Sequence, residues 1–212
     1  LVARGADQTV IEAYVQRHEF PHLSDDFVTF LFRGSAERVE LKHWIYGLPS
    51  SIPLERIGDS DLWYQVVQFP DRSRIEYKIG VVRNGHEEWI HDPLNPNVAH
   101  DPFGGNSVVH CRGYQLPDWV GDDGNAASGE WDQFDLASRA FKDRRTIRVY
   151  LPHNYRTYRR YRLVIVHDGD DYVRYSNLKS VLDNLVARLE IPPLVVALSN
   201  PVDRIREYAN DG

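Results

Sequence analysis

The apolar and polar positions of this chain change rhythm twice, and the sharpest pattern lies late. Leu163, Val164, Ile165 and Val166 form an unbroken aliphatic run, the composition of a strand buried on both faces of a parallel sheet. His167, Asp168, Gly169 and Asp170 break that run with a charged turn. Over residues 172–189 the apolar positions then fall at Val173, Leu178, Val181, Leu182, Leu185, Val186 and Leu189, a spacing of three and four that predicts one helix. Glu190-Ile-Pro-Pro ends it, because a proline ring cannot continue a helix. A second buried run follows over residues 194–198. Strand, helix and strand in this order predict a parallel crossover, whose ligands bind at the carboxyl ends of the strands. Those ends are residues 167–170 and 199–203.

Earlier in the chain the rhythm is different. Residues 9–17 predict a short helix with Val10, Ala13, Tyr14 and Arg17 on one side, within an N-terminal helical segment 1–24. From residue 25 the period falls to two. Residues 27–32, 39–45, 62–69, 74–82, 88–90 and 107–110 read as strands between Gly, Pro, Asn and Asp turns. Short strands without intervening helices predict an antiparallel β-sandwich over residues 25–112. Residues 113–130, with Gly121-Asp-Asp-Gly-Asn-Ala-Ala-Ser-Gly at their centre, read as an interdomain linker. Residues 131–136 and 144–152 then alternate as strands at the edge of a mixed sheet, and lead into the aliphatic run.

Composition narrows the functional classes. The chain has 212 residues, 42% hydrophobic and 26% charged, with a formal net charge of −6. It is globular, and the charge argues against a nucleic-acid partner. Four arginines crowd into residues 156–162, which read either as a solvated connector or as an anion site. The single cysteine, Cys111, excludes an internal disulfide framework. No run is long enough to span a bilayer, so a cytoplasmic location without membrane contact is the expectation. There is no methionine at all, which suggests an internal or processed piece of a longer product.

Several motifs carry resemblances. Ile75-Glu-Tyr-Lys-Ile, Glu88-Trp-Ile-His-Asp-Pro-Leu-Asn-Pro-Asn and Gly104-Gly-Asn-Ser-Val-Val resemble the immunoglobulin-like early-set domains that precede catalytic domains in glycogen-branching enzymes and some esterases. The glycogen-binding members touch sugar through positions matching Lys78, Trp89 and, nearest in the last loop, Asn106. An aromatic face can stack on a sugar face while polar groups fix its hydroxyls. In other members the same Trp and Asp-Pro motif only brace the sandwich. Trp44, within an expected strand, gives no clear second stacking residue.

In the second half, Arg148-Val-Tyr-Leu-Pro, His167-Asp-Gly, Leu189-Glu-Ile-Pro-Pro-Leu and Asp203-Arg-Ile-Arg-Glu-Tyr together resemble the enterochelin esterase and esterase D branch of the α/β hydrolases. The implied fold is an all-β immunoglobulin-like sandwich followed by the N-terminal part of an α/β hydrolase domain, of three-layer αβα architecture, over residues 131–212. The implied chemistry is attack of a serine on an ester carbonyl, with a histidine as base and a carboxylate to orient it. The loop after the aliphatic strand, here Gly169 and Asp170, supplies oxyanion amides in that family. His167, Asp168, Arg204 and Glu207 are the pocket candidates, although Gly169 could serve only the turn and Arg204 a surface ion pair.

No Gly-x-Ser-x-Gly occurs in the sequence, so the triad is expected beyond residue 212 and the 212-residue chain is expected to be inactive. Ser176 and Ser199, the serines nearest His167 and Asp168, sit on no strand-to-helix elbow. His91, Asp92, His100 and Asp101 lack the spacing of a metal site, and no cofactor is expected. The expected partner is a small ester of a bulky or aromatic acid. The alternative is a glycan-binding or protein-interaction module with a silent hydrolase-like portion, and a homodimer stays open.

Overall fold

The computed structural model describes residues 8–45 and 47–208 and divides into two compact units, residues 1–115 and 116–212. The first part of the expected helical segment, residues 1–7, lies outside the described residues. Most regular structure is β-sheet.

In the first unit, α1 (Gln8–Arg17) precedes ten strands in two sheets. One sheet has the order β1 (His22–Ser24), β2 (Phe27–Arg33), β6 (Leu62–Gln68), β5 (Glu55–Arg56). The other runs β4 (Ser51–Pro53), β3 (Arg38–His43), β7 (Arg74–Arg83), β10 (Gly104–His110), β9 (Val98–Asp101), with β8 (His86–Ile90) also paired to β7. Every pairing is antiparallel. The period-two pattern explains the packing: Ile75, Tyr77, Ile79 and Val81 of β7 are all buried and meet Val28, Phe30 and Phe32 of β2 in one core. The Phe30 and Tyr77 rings meet edge to face at 4.8 Å. Each such fully buried side chain contributes roughly 1.5–3 kcal/mol.

The alternation reading missed four strands, β1, β4, β5 and β9, because runs of two to four residues beside Pro and Gly carry too little pattern, and β1 fell within the expected helical segment 1–24. Helix α1 also turns differently from the expectation. Ile11 is buried with Phe20, Leu31 and Leu62, and Tyr14 and Val15 pack against them, whereas Val10 is exposed. One large apolar side chain set the orientation against the smaller face counted from sequence.

The second unit contains β11 (Glu130–Ala137), β12 (Arg144–Leu151), β13 (Arg162–His167), α2 (Gly169–Tyr175), α3 (Leu178–Ala187), β14 (Leu194–Ser199) and α4 (Arg204–Tyr208). Its sheet has the order β11-β12-β14-β13. Only β13 and β14 are parallel, in register from Arg162 opposite Leu194 to His167 opposite Ser199. The strand–helix–strand crossover is therefore present. Three details correct the sequence expectation. Strand β12 lies inside the sheet, between β11 and β14, instead of at its edge. The single helix is two, because the chain leaves the helix after Tyr175 and Asn177 takes a left-handed φ of 51° before α3 begins. Strand β13 is an edge strand, and Leu163 and Ile165, on one face of it, are each 61% exposed. Val166 on the opposite face joins Leu198, Val196, Val173 and Leu178 beneath α2 and α3.

Residues 116–129 of the segment expected as a linker belong to this unit and are tied down within it. Asn184 donates to the carbonyls of Trp119 and Gly121 at 2.8 and 2.7 Å, and Asn177 donates to that of Val120 at 2.9 Å. Further along, the buried Asp183 carboxylate accepts from the Gly129 amide (2.8 Å), the Tyr150 hydroxyl (2.7 Å) and Lys179 (2.7 Å). A glycine-rich segment looks like a spacer in sequence, because the partners that hold it lie some 50 to 65 residues away.

Candidate active site at the carboxyl ends of the parallel strands

Strands β13 and β14 end side by side, and the turn after β13 organises what lies beyond them. Asp168 adopts a left-handed φ of 53°, a conformation that Asp tolerates better than most residues. Its carbonyl receives the amides of Asp171 and Tyr172, starting α2. Gly169 follows, buried against β14: a Cβ there would run into Leu198 Cβ and come within 2.9 Å of Leu198 Cα. The missing side chain is thus demanded by helix-on-strand contact, which accounts for this glycine without a substrate.

Asp170 is held from two sides. Its amide donates to Asn200 Oδ1 at 2.9 Å, its Oδ2 accepts from Asn200 Nδ2 at 2.9 Å, and its Oδ1 pairs with Arg148 at 3.0 Å. Arg148 itself lies over the Trp131 ring at 4.4 Å. The Asp170 amide, one of the two oxyanion candidates, is therefore occupied by the Asn200 side chain.

Around this turn stand the other candidates. Arg204 pairs with Asp168 at 3.2 Å and lies 6.0 Å from the Tyr208 ring. The His167 ring meets that of Tyr208 at 6.1 Å, edge on. Burial and the nearby Asp168 carboxylate push the Tyr208 hydroxyl above its ordinary pKa, so it remains a proton donor at neutral pH. His167, Asp168, Gly169, Asp170 and Arg204 are thus brought together at one end of the sheet.

Glu207 is different. Both its oxygens face the Arg145 guanidinium, at 2.6 and 2.9 Å, and Oε1 also accepts the Val202 amide at 3.0 Å. The Arg145 hydrogen bonds hold the carboxyl down at about 2, and only 8% of the side chain is exposed. As a pocket residue it is corrected to a structural clamp that fastens α4 to β12. Sequence alone missed Arg145, Arg148, Asn200 and Tyr208. The two arginines looked like ordinary strand residues, and their partners here, Glu207 for Arg145 and Asp170 for Arg148, lie 62 and 22 residues away. Among the described residues no hydrogen bond joins His167 to Ser176 or Ser199, and no group of three or more His, Cys, Asp or Glu side chains is placed to hold a metal.

In the first unit the three glycan candidates part company. Asn106 is buried, with its amide donating to Glu76 at 2.9 Å and Asp101 at 3.2 Å. Lys78 pairs across the sheet with Lys42. Trp89 is 49% exposed, above the Lys42 ammonium, which lies 5.5 Å from the ring centroid. Trp44, which the sequence reading placed inside a strand, falls just past the end of β3 and is 62% exposed, 6.3 Å from Trp89. The Asp-Pro motif does brace the unit: Asp92 accepts from Tyr77 at 2.6 Å, and Asn95 donates to both Tyr77 and the Val108 carbonyl. His91, from the same stretch, bonds the Gly105 carbonyl at 2.7 Å.

A parallel crossover with a charged turn at its carboxyl end is a widespread scaffold, and comparison narrows it. Residues 138–211 match the family described as "Putative esterase", so the second unit carries the pattern of an esterase-like family. The fold is similar to that of the enterobactin esterase of Shigella flexneri, solved in the presence of enterobactin, at 20% identity and a TM-score of 0.61 over 94% of this chain and 59% of that one. It is also similar to the ferric enterobactin esterase of Salmonella typhimurium, at 16% identity and a TM-score of 0.63 over 91% of this chain and 59% of that one. At these identities the likeness is one of fold. The chain spans less than three-fifths of the length of those esterases. No curated protein matches it. Among the described residues no helix is long and apolar enough to cross a membrane.

Proposed function

We propose that this chain is the N-terminal part of a serine carboxylic ester hydrolase acting on an ester of a bulky or aromatic acid. An immunoglobulin-like sandwich precedes the first strands of an α/β hydrolase domain in this reading. The observation that carries it is the crossover of β13 and β14 within the residues that match the esterase family, with the turn at His167–Asp170 at its carboxyl end. In α/β sheets, ligands bind at that end. The nucleophile, its histidine and the orienting acid lie beyond residue 212, on strands that would continue the sheet past β13. Gly169 and Asp170 then face the reacting carbonyl oxygen, and freeing the Asp170 amide requires the Asn200 side chain to turn away from it. Arg204 and Tyr208 line the acyl or alcohol side of the pocket.

The test is hydrolysis of a chromogenic ester of an aromatic acid. The 212-residue chain alone should show no turnover above buffer. The longest product of the same reading frame should turn over and be silenced by a fluorophosphonate. Turnover by the 212-residue chain, or none by the longer product, overturns the proposal.

A second reading rests on a separate observation. The exposed Trp44 and Trp89 rings meet edge-on, 6.3 Å apart, with the Lys42 ammonium over Trp89, and exposed indole faces are of the kind that stacks on sugar rings. Retention on immobilised glucan that is lost with both Trp44→Ala and Trp89→Ala supports it. Absence of retention by the unaltered protein removes it.

A further inference from the structure

From Arg144 to His167 the sequence contains seven arginines and no carboxylate. Three of the seven are spoken for within the second unit: Arg144, Arg145 and Arg148 pair with acidic side chains. The remaining four, Arg156, Arg159, Arg160 and Arg162, are exposed, and among the described residues none forms an ion pair with a carboxylate. The first three sit on the loop between β12 and β13, and Arg162 is the first residue of β13.

That loop is built. The Tyr155 amide donates to the Pro152 carbonyl at 3.0 Å, the Arg159 amide to the Arg156 carbonyl at 3.1 Å, and the Arg156 amide to the Tyr161 hydroxyl at 3.1 Å. The Tyr155 and Tyr161 rings pack at 5.0 Å, and Arg159 lies 5.8 Å from the Tyr161 centroid. Two half-buried tyrosines therefore hold the loop, and Tyr158 between the arginines is 86% exposed. Clustered like charges repel one another, and no internal anion repays that cost here. Restraining the loop in advance lowers the entropy lost when something binds it.

We propose that this loop is a docking surface for a carboxylate-rich segment of a partner protein, gripped by Arg156, Arg159 and Arg160 with Tyr158 packed against it. Guanidinium groups match carboxylates in paired geometry. Arginine and tyrosine are the residues enriched where protein partners are held. A short acidic protein segment is favoured over nucleic acid because these cations are confined to residues 156–162 of a chain whose net charge is −6, a footprint too small for the extended basic face that a phosphate backbone takes. Glu130 lines the groove of about 310 Å³ at the base of the loop, together with His153 and Arg156. Glu130 shares that groove with Arg156, so Arg159 and Arg160, with Tyr158, carry most of the grip and Arg156 the smaller part. This surface is independent of the esterase reading.

The experiment measures anisotropy of a fluorescein-labelled oligoglutamate peptide against the purified protein. Binding should weaken by about tenfold or more between about 50 and 300 mM salt. Arg156→Gln with Arg159→Gln and Arg160→Gln should weaken it at least about tenfold, Tyr158→Ala about threefold, and Arg174→Gln, on α2, not at all. Because these side chains are exposed, the variants should melt with the unaltered protein; if the triple variant does not, Arg159→Glu alone reads the same effect. No binding by the unaltered protein, equal binding by the arginine variants, or tighter binding of a single-stranded oligonucleotide through the same arginines overturns the proposal.

Discussion

Asp183 is the residue whose loss the second unit should feel most, and its surroundings allow the size of that loss to be ranked in advance. The carboxylate is 8% exposed and takes donors from Lys179, Tyr150, Gly129 and Ser128. Burial alone would raise its pKa, but the Lys179 ammonium, the Tyr150 hydroxyl and the Gly129 amide outweigh burial and draw it below the ordinary carboxylate value. In Asp183→Leu the Tyr150 hydroxyl, fully buried, and the Gly129 amide both lose their acceptor. At about 1–3 kcal/mol for each stranded donor the cost is about 4 kcal/mol. Asp183→Asn keeps one acceptor oxygen but turns an amide donor toward Lys179, which is 28% exposed and can swing out to water, so about 2 kcal/mol is expected. Tyr150→Phe removes a donor without stranding the acid, at about 1 kcal/mol. Urea unfolding measures the order. Hydrogen exchange of residues 118–129 assigns the loss to the segment the carboxylate holds. Stability conferred by this group is complete above the ordinary carboxylate pKa and is lost as pH falls through its lower folded value. If Asp183→Leu unfolds within about 0.5 kcal/mol of the unaltered protein, the segment 116–129 is not anchored as described.

Three further outcomes follow from single contacts. Gly169→Ala should cost about 2–3 kcal/mol by overpacking, and Leu198→Ala should not rescue it, because the obstructing atoms are the Leu198 Cβ and Cα that alanine retains; rescue in a melting experiment would place the clash elsewhere. Burial raises the Asp92 carboxyl against the Tyr77 hydrogen bond, so the folded protein binds that proton more tightly and the group's contribution falls as pH rises through its raised value. The cost of Asp92→Asn should therefore shrink from pH 4 to pH 8, and a growing cost in urea titrations sinks that sign. Leu163→Glu should leave the melting of the 212-residue chain within about 0.5 kcal/mol, since the side chain is 61% exposed, but should cost several kcal/mol in any longer product where a further strand flanks β13.

Much of the first unit could be read from sequence because its evidence is local. Alternation in β2, β3, β6 and β7 fixes which side chains face the shared core, and Gly, Pro and Asn turns separate the strands. What could not be read was carried by long-range partners. Nothing near Asn184 announces that its amide will hold the backbone at Trp119 and Gly121. Nothing near Glu207 announces Arg145, so a buried clamp looked like a pocket residue. At the candidate site the turn at residues 167–170 was legible from its composition. The state of that turn was not, because Asn200 and Arg148 decide it.

The exposure of β13 joins the fold to the proposed chemistry. Its sequence is that of a strand buried on both faces, yet in this structure it has one neighbour, β14, and presents Leu163 and Ile165 to water. An aliphatic strand left so exposed forgoes burial worth about 25 cal/mol for each Å² of apolar surface, and an unpaired edge invites another strand. The esterase proposal supplies both missing parts at once, because the strand that would carry the serine belongs beside β13 and its crossover would cover the bare face. Burial of Leu163 and presentation of a nucleophile next to Gly169 are then one structural event. A product in which β13 stays exposed has no scaffold for the serine, and the esterase reading fails with it.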